Sequence, residues 1–195
     1  MSTHQAIDVA SRWVRRFAGL IPPNSKVLDL ACGGGRHARY AASLGHSVLA
    51  VDKDVSALSA NPSQTIHCLS FDLEQSNSAG HPDWPLVPNQ FGGIIVTNYL
   101  HRPLMGDLLL SLRTGGVLIY ETFAQDNGLF GKPSSPDFLL LPGELLRLAS
   151  SKPEFHVLAF EDGYVSDPKP AMVQRICFIR GPVGPPESRT LDAHS

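Results

Sequence analysis

The stretch Val27-Leu-Asp-Leu-Ala-Cys-Gly-Gly-Gly-Arg36 decides the fold. An apolar run of strand character enters three consecutive glycines, and the helical pattern Arg36-His-Ala-Arg-Tyr-Ala-Ala-Ser-Leu44 follows, stopped by Gly45. Glycine reaches positive φ and lacks a Cβ, so backbone can approach a ligand closely at such a turn. The amides opening the next helix then face whatever occupies it. Outward from here the alternation continues. Ser47–Val51, Thr65–Phe71, Gly93–Thr97 and Gly116–Tyr120 are short apolar runs of the kind found in strands buried on both faces. Pro103–Arg113 and Pro142–Ser150 read as helices. This order predicts a doubly wound α/β sheet. The end departs from it: Phe155–Phe160 and Val173–Ile179 have no helix between them and should pair as an antiparallel hairpin.

The chain has 195 residues, 43% hydrophobic and 17% charged, with a formal net charge of −2. Its length suits one domain with a substantial core. The near-neutral balance and the lack of an aromatic-basic cluster disfavour nucleic acid or an anionic membrane as partner. Three dispersed cysteines fit a reducing compartment better than disulfides or zinc. No apolar run is long enough for a membrane span, and the amino terminus lacks a secretory pattern, so a cytoplasmic protein is expected. The domain is expected over residues 1–180, with an N-terminal helix at about 4–19. Val9, Trp13 and Phe17 would share one face of that helix, with Arg12, Arg15 and Arg16 off it. Residues 181–195 read as a disordered Pro/Gly-rich tail.

Two ligands compete for the glycine turn. Gly33-x-Gly35-x-x-Ala38, with Asp52 seventeen residues beyond Gly35, satisfies the dinucleotide pattern and allows an NAD-dependent oxidoreductase. Asp29, four residues before Gly33, argues the other way. Its charge would repel a pyrophosphate and suits a ligand bearing an ammonium group.

Asp29-x-Ala31-x-Gly33-x-Gly35 resembles the E/D-x-G-x-G-x-G signature of class I S-adenosylmethionine-dependent methyltransferases, with Ala31 in place of the first glycine. Leu28–Arg36 and Leu44-Gly45-His46-x-Val48-x-Ala50-x-Asp52 look most like the small tellurite-resistance-type, TehB-like, methyltransferases. The resemblance implies a three-layer, Rossmann-like, seven-stranded sheet, mostly parallel with a C-terminal antiparallel hairpin. It implies S-adenosylmethionine as cofactor and S-adenosylhomocysteine as product. Asp29, Ala31, Gly33 and Gly35 would surround the methionine part, and Asp52 would hold the ribose diol with Lys53 beside the adenine. Asp72 would meet the adenine amino group, Leu73 would pack on the ring, and Asn98 would lie beside the methyl group. Phe91-Gly92-Gly93 departs from the family's frequent Phe-Asp before the fourth strand.

Chemistry is expected at the carboxyl ends of the strands. Tyr99 and His101 are the candidates to shape or deprotonate the acceptor, and Arg102 to meet an anion; Glu121 reads equally as a structural acid. The long segment 124–141, rich in Phe and Leu, is expected to pack over the site as a lid with Phe130 and Lys132 near the substrate. The N/D-P-P-Y/F tetrapeptide for base amines, a Pro-Cys motif and metal-ligand spacing are all missing, so no metal is expected. A small molecule or soft anion is the expected acceptor. A non-catalytic cofactor binder serving a partner protein is the third reading.

Overall fold

The computed structural model describes residues 9–76 and 83–182. Seven strands form one sheet: β1 (Lys26–Leu30), β2 (Ser47–Asp52), β3 (Ile66–Ser70), β4 (Phe91–Thr97), β5 (Leu112–Phe123), β6 (Phe155–Val165) and β7 (Ala171–Arg180). Their spatial order is β3-β2-β1-β4-β5-β7-β6. The first five run parallel, while β7 is antiparallel to both β5 and β6. The order reverses between β1 and β4, which opens a crevice at their carboxyl ends. Helices α1 (Arg12–Phe17), α2 (Arg36–Ser43), α3 (Ser56–Ser59), α4 (Met105–Ser111) and α5 (Glu144–Ser150) complete the framework. Two apolar clusters fill the faces. One gathers Leu28, Leu30, Ile94, Leu118 and Phe178 beneath α4 and α5, and the other gathers Val27, Ile95 and Ile119 against α1 and α2. The alternation of Val27 and Leu28 between the clusters is the period of two expected of a strand covered on both sides.

The elements differ from the sequence reading in places, each for a local reason. Helix α1 begins only after Ser11, whose hydroxyl accepts from the Val14 N–H as an N-cap. Val9 therefore lies before the helix and is exposed, while Trp13, Val14 and Phe17 make the buried face. The start of the helix expected at residue 4 and the tail over 183–195 lie outside the described residues. Strand β5 starts at Leu112 rather than Gly116, because Leu112 pairs with Phe91 before a bulge resets the register at Gly93. Strand β6 runs on to Val165, so the closing hairpin is longer than expected and brings its turn to the crevice.

The glycines of Phe91-Gly-Gly are explained by crowding. A Cβ on Gly92 would collide with the Ser25 side chain, and one on Gly93 would stand 2.7 Å from an Ile21 methyl. The loop entering β1 packs directly on the start of β4, leaving no room for the family's aspartate.

One buried histidine ties the crevice walls together. His37, in the first turn of α2, accepts the Ser11 N–H at Nε2 (3.3 Å) and meets Thr97 Oγ1 at Nδ1 (3.2 Å). Acceptance at Nε2 places the ring proton on Nδ1, which donates to Thr97. The ring thus links the start of α1, the glycine turn and the end of β4. Burial, with the Arg36 charge beside it, pulls its pKa from 6.5 down to about 3. An unfolded chain takes up this proton below about pH 6.5 and the folded one does not. The stability contributed by neutral His37 is therefore complete above that pH and is lost on acidification toward 3. His37→Ala is expected to cost about 1–3 kcal/mol at pH 7.5, with the difference from wild type shrinking by pH 5 in urea denaturation.

Candidate active site

The glycine turn forms one lip of the crevice. Ala31, Gly33 and Gly35 all take positive φ, at 53°, 50° and 78°. At Gly35 the need is double, since a Cβ would also strike the Leu58 side chain. Ala31 bears a Cβ in the left-handed region, a strain of about 1 kcal/mol that a glycine would avoid. The turn is held by Cys32 N–H donating to Val51 O (3.0 Å) and Gly35 N–H donating to Cys32 O (2.9 Å). Cys32 is buried there as a packing residue.

Asp52, at the end of β2, accepts the Gly33 N–H at Oδ2 (2.9 Å) and the Asp54 N–H at Oδ1 (3.1 Å). Its carboxylate is thus fixed against the turn. Lys53 and Asp72 are exposed beyond it, along the edge that continues from β2 to β3. Leu73 belongs to the apolar cluster and is almost wholly buried.

Asp29 is the unusual residue. It sits in β1, directly before the turn and between Ala50 of β2 and Ile95 of β4. It is 1% exposed, and neither carboxylate oxygen has a hydrogen-bond partner among the described residues. Burial raises its pKa from 3.8 to about 7. The Ala38 N–H, near it but outside hydrogen-bond geometry, and the Arg36 guanidinium offset that only in part. An acid left unpaired in an apolar strand is costly, so the site calls for a cationic partner. An ammonium group would supply it; a pyrophosphate would add to the cost.

Beside the turn opens a cleft of about 700 Å³. Asn98 and Glu121 line it from the ends of β4 and β5, Arg12 and Arg15 from α1, Arg36 from α2, and Tyr164, Lys169 and Arg175 from the hairpin. Asn98 has φ 55°, and its N–H donates to Glu121 O (3.0 Å), which keeps the two strand ends level. Two of the cleft's arginines are committed: Arg175, on the hairpin, lies 2.9 Å from Glu121 and 3.3 Å from Glu161, and Arg12, on α1, lies 3.2 Å from Asp167. Glu121 was weighed from the sequence as participant or structural acid; Arg15, Arg36, Lys169 and Arg175 were given no place in the site. Arg36 follows the glycines directly, which was a usable signal; Arg15, Lys169 and Arg175 reach the cleft only through α1 and the hairpin.

The cleft lining takes Asn98 and Arg36 but not Asp29, Gly33, Gly35, Asp52, Lys53, Asp72 or Leu73, and the other candidates that follow the fourth strand are likewise outside it. Neither Tyr99 nor His101 is among the residues lining this cleft. Tyr99 packs on the apolar cluster that contains Leu73. Burial, and then the acids Glu74, Asp72 and Asp52, push its phenol above the usual range. Arg102 is not free for an anion. It pairs with Glu144 through two nitrogens (2.7 and 2.9 Å) and donates to Asp137 O (2.9 Å) and Leu139 O (2.8 Å). It is the clamp that holds residues 136–144 against the end of β4.

Residues 124–141 fold as two short turns closed by a bridge between Ala124 and Leu140. Asn127 anchors them, donating to Pro133 O (2.9 Å) and accepting the Met172 N–H (3.1 Å). Phe130 stacks on Tyr164 at 5.2 Å and so touches the cleft only through that ring. Lys132 is exposed and does not line the cleft. The segment therefore buttresses the hairpin beside the cleft.

Known proteins share this fold. Residues 10–76 match the family model described as tellurite resistance protein TehB. TehB from Haemophilus influenzae superposes with a TM-score of 0.63 at 18% identity, over 84% of this chain and 59% of that one. A Mesorhizobium loti S-adenosylmethionine-dependent methyltransferase gives 0.61 at 17% identity, over 83% and 94%. The Burkholderia thailandensis 1,6-didemethyltoxoflavin N1-methyltransferase, solved with 1,6-didemethyltoxoflavin and S-adenosylhomocysteine, gives 0.59 at 15% identity, over 88% and 79%. No curated protein matches the chain in sequence. Residues 10–76 are thus similar to the TehB family model, and the seven-stranded sheet is the fold these S-adenosylmethionine-dependent methyltransferases share.

Proposed function

We propose that the chain transfers a methyl group to a small-molecule or soft-anion acceptor bound in the cleft. The observation that carries this reading is Asp29, a buried carboxylate with no partner beside a glycine turn. When bound, S-adenosylmethionine supplies an electrophilic methyl on a sulfonium. Asp29 is the residue suited to its ammonium group, and Ala31, Gly33 and Gly35 shape the backbone around the methionine part. Arg36, at the first position of α2 and on the cleft wall, is the matching cation for the carboxylate. Asp52 would receive the ribose diol, with Lys53, Asp72 and Leu73 toward the adenine. Asn98, lining the cleft at the end of β4, would stand between cofactor and acceptor. Catalysis would rest mainly on alignment and exclusion of water. Tyr99 and His101 would then act by shaping the β4 exit, without contact to the acceptor.

Calorimetric titration with S-adenosylmethionine and S-adenosylhomocysteine tests the cofactor assignment. Binding of both is expected, weakened at least about tenfold in Asp52→Ala through loss of two charged hydrogen bonds. Unchanged affinity in that variant would remove Asp52 from the site.

Asp29 makes a second test. A folded-state pKa raised to about 7 means that its contribution is favourable in acid and is lost as pH rises from 3.8 through 7. The ionised group therefore destabilises the free protein at pH 7.5. Asp29→Asn is expected to gain roughly 2–4 kcal/mol there in urea denaturation, a gain that fades toward pH 4, while cofactor affinity falls. Loss of stability at pH 7.5 would mean that the carboxylate has a partner after all.

A further inference from the structure

The cleft divides its charges. Its inner end, at the strand tips, carries Glu121. Arg175 Nε lies 2.9 Å from Oε2 of this carboxylate but outside hydrogen-bond geometry, so the pair is ionic and the carboxylate keeps acceptor capacity. Glu161, outside the lining, faces both Arg175 and Arg16, so Glu121 is the one acid among the lining residues at this end. The outer rim is basic. Arg12 is answered by Asp167, while Arg15 and Lys169 line the cleft without an ion pair among the described residues. The chain as a whole is slightly acidic, so the basic rim is a local feature.

We infer that the acceptor is a small amine that also carries an acidic group, with the amine directed by Glu121 and the acid held by Arg15 and Lys169. This rests on the methyltransferase reading above and narrows its acceptor. A carboxylate oxygen accepts and cannot donate, so Glu121 can orient an N–H donor and offers an anionic oxygen or sulfur nucleophile no hydrogen bond. Glu121 accepts one N–H of the neutral amine, which fixes the direction of the nitrogen lone pair. That lone pair forms the new N–C bond to the sulfonium methyl as the C–S bond breaks, and the departing electron pair stays on sulfur as a thioether. The nitrogen becomes a methylammonium paired with the Glu121 carboxylate, and its surplus proton leaves to solvent.

The test uses the full chain with radiolabelled S-adenosylmethionine. The acceptors are glycine, 4-aminobenzoate and aminomethylphosphonate, each beside its counterpart lacking the acid (glycinamide, aniline, methylamine), with tellurite as the anionic competitor. Methylation of at least one acid-bearing amine is expected, with kcat/KM at least about tenfold above its acid-free counterpart. Arg15→Ala with Lys169→Ala should raise KM about tenfold with kcat little changed, and Glu121→Gln should lower kcat by about tenfold or more. S-adenosylhomocysteine affinity should stay within about twofold in these variants, which also shows that they fold. Turnover of tellurite alone, equal activity of Glu121→Gln, or no methylation of any acid-bearing amine while S-adenosylhomocysteine binds would overturn the inference. Failure of the wild type to bind S-adenosylhomocysteine would instead overturn the methyltransferase reading on which it rests.

Discussion

The site depends on one unpaired charge. Asp29 occupies a strand flanked by β2 and β4 and covered by α2, where an apolar side chain would stabilise the free protein. A carboxylate there is held partly protonated near neutrality, and its cost is offset only by a cation. The features around it follow from that requirement. The turn after it must bring backbone close to a ligand, so Gly33 and Gly35 adopt left-handed φ and Ala31 bears the same conformation under strain. The amide of Gly33 is occupied by Asp52, which joins the two halves of the ligand ledge in a single hydrogen bond.

The opposite wall is organised by His37 and Arg102, two residues whose task is to hold others. His37 is neutral because it is buried, and in that state one ring nitrogen accepts while the other donates. It therefore couples α1, which delivers Arg12 and Arg15, to the end of β4, which delivers Asn98. Arg102 performs the equivalent service for residues 136–144. The hairpin contributes the third wall, and its antiparallel pairing places Arg175 directly opposite Glu121.

The sequence made the cofactor half legible because its signals are local. Asp29, the glycines and Asp52 lie within one strand-turn-helix-strand unit, where φ requirements and strand-end positions can be read residue by residue. The acceptor half is assembled from α1, β5 and the hairpin, which are far apart in sequence. Arg15 and Arg175 carry no local mark of a shared cleft. Tyr99 and His101 drew attention because they follow β4; Tyr99 packs on the apolar cluster, and neither lines the cleft. Arg102 looked free because Glu144 lies forty-two residues away. The long segment after β5 was read as a lid from its length and apolar content; Asn127 fixes it instead against β7.

The central claim is that Asp29 awaits a cationic ligand group, and proton exchange on binding reports on it directly. Calorimetric titration of S-adenosylhomocysteine at pH 7 in two buffers of different ionisation enthalpy gives the number of protons released. With an Asp29 pKa of about 7 in the free protein, roughly half a proton should leave as the ammonium group arrives, and none in Asp29→Asn. Binding without proton release in the wild type, or release unchanged in Asp29→Asn, would contradict this account.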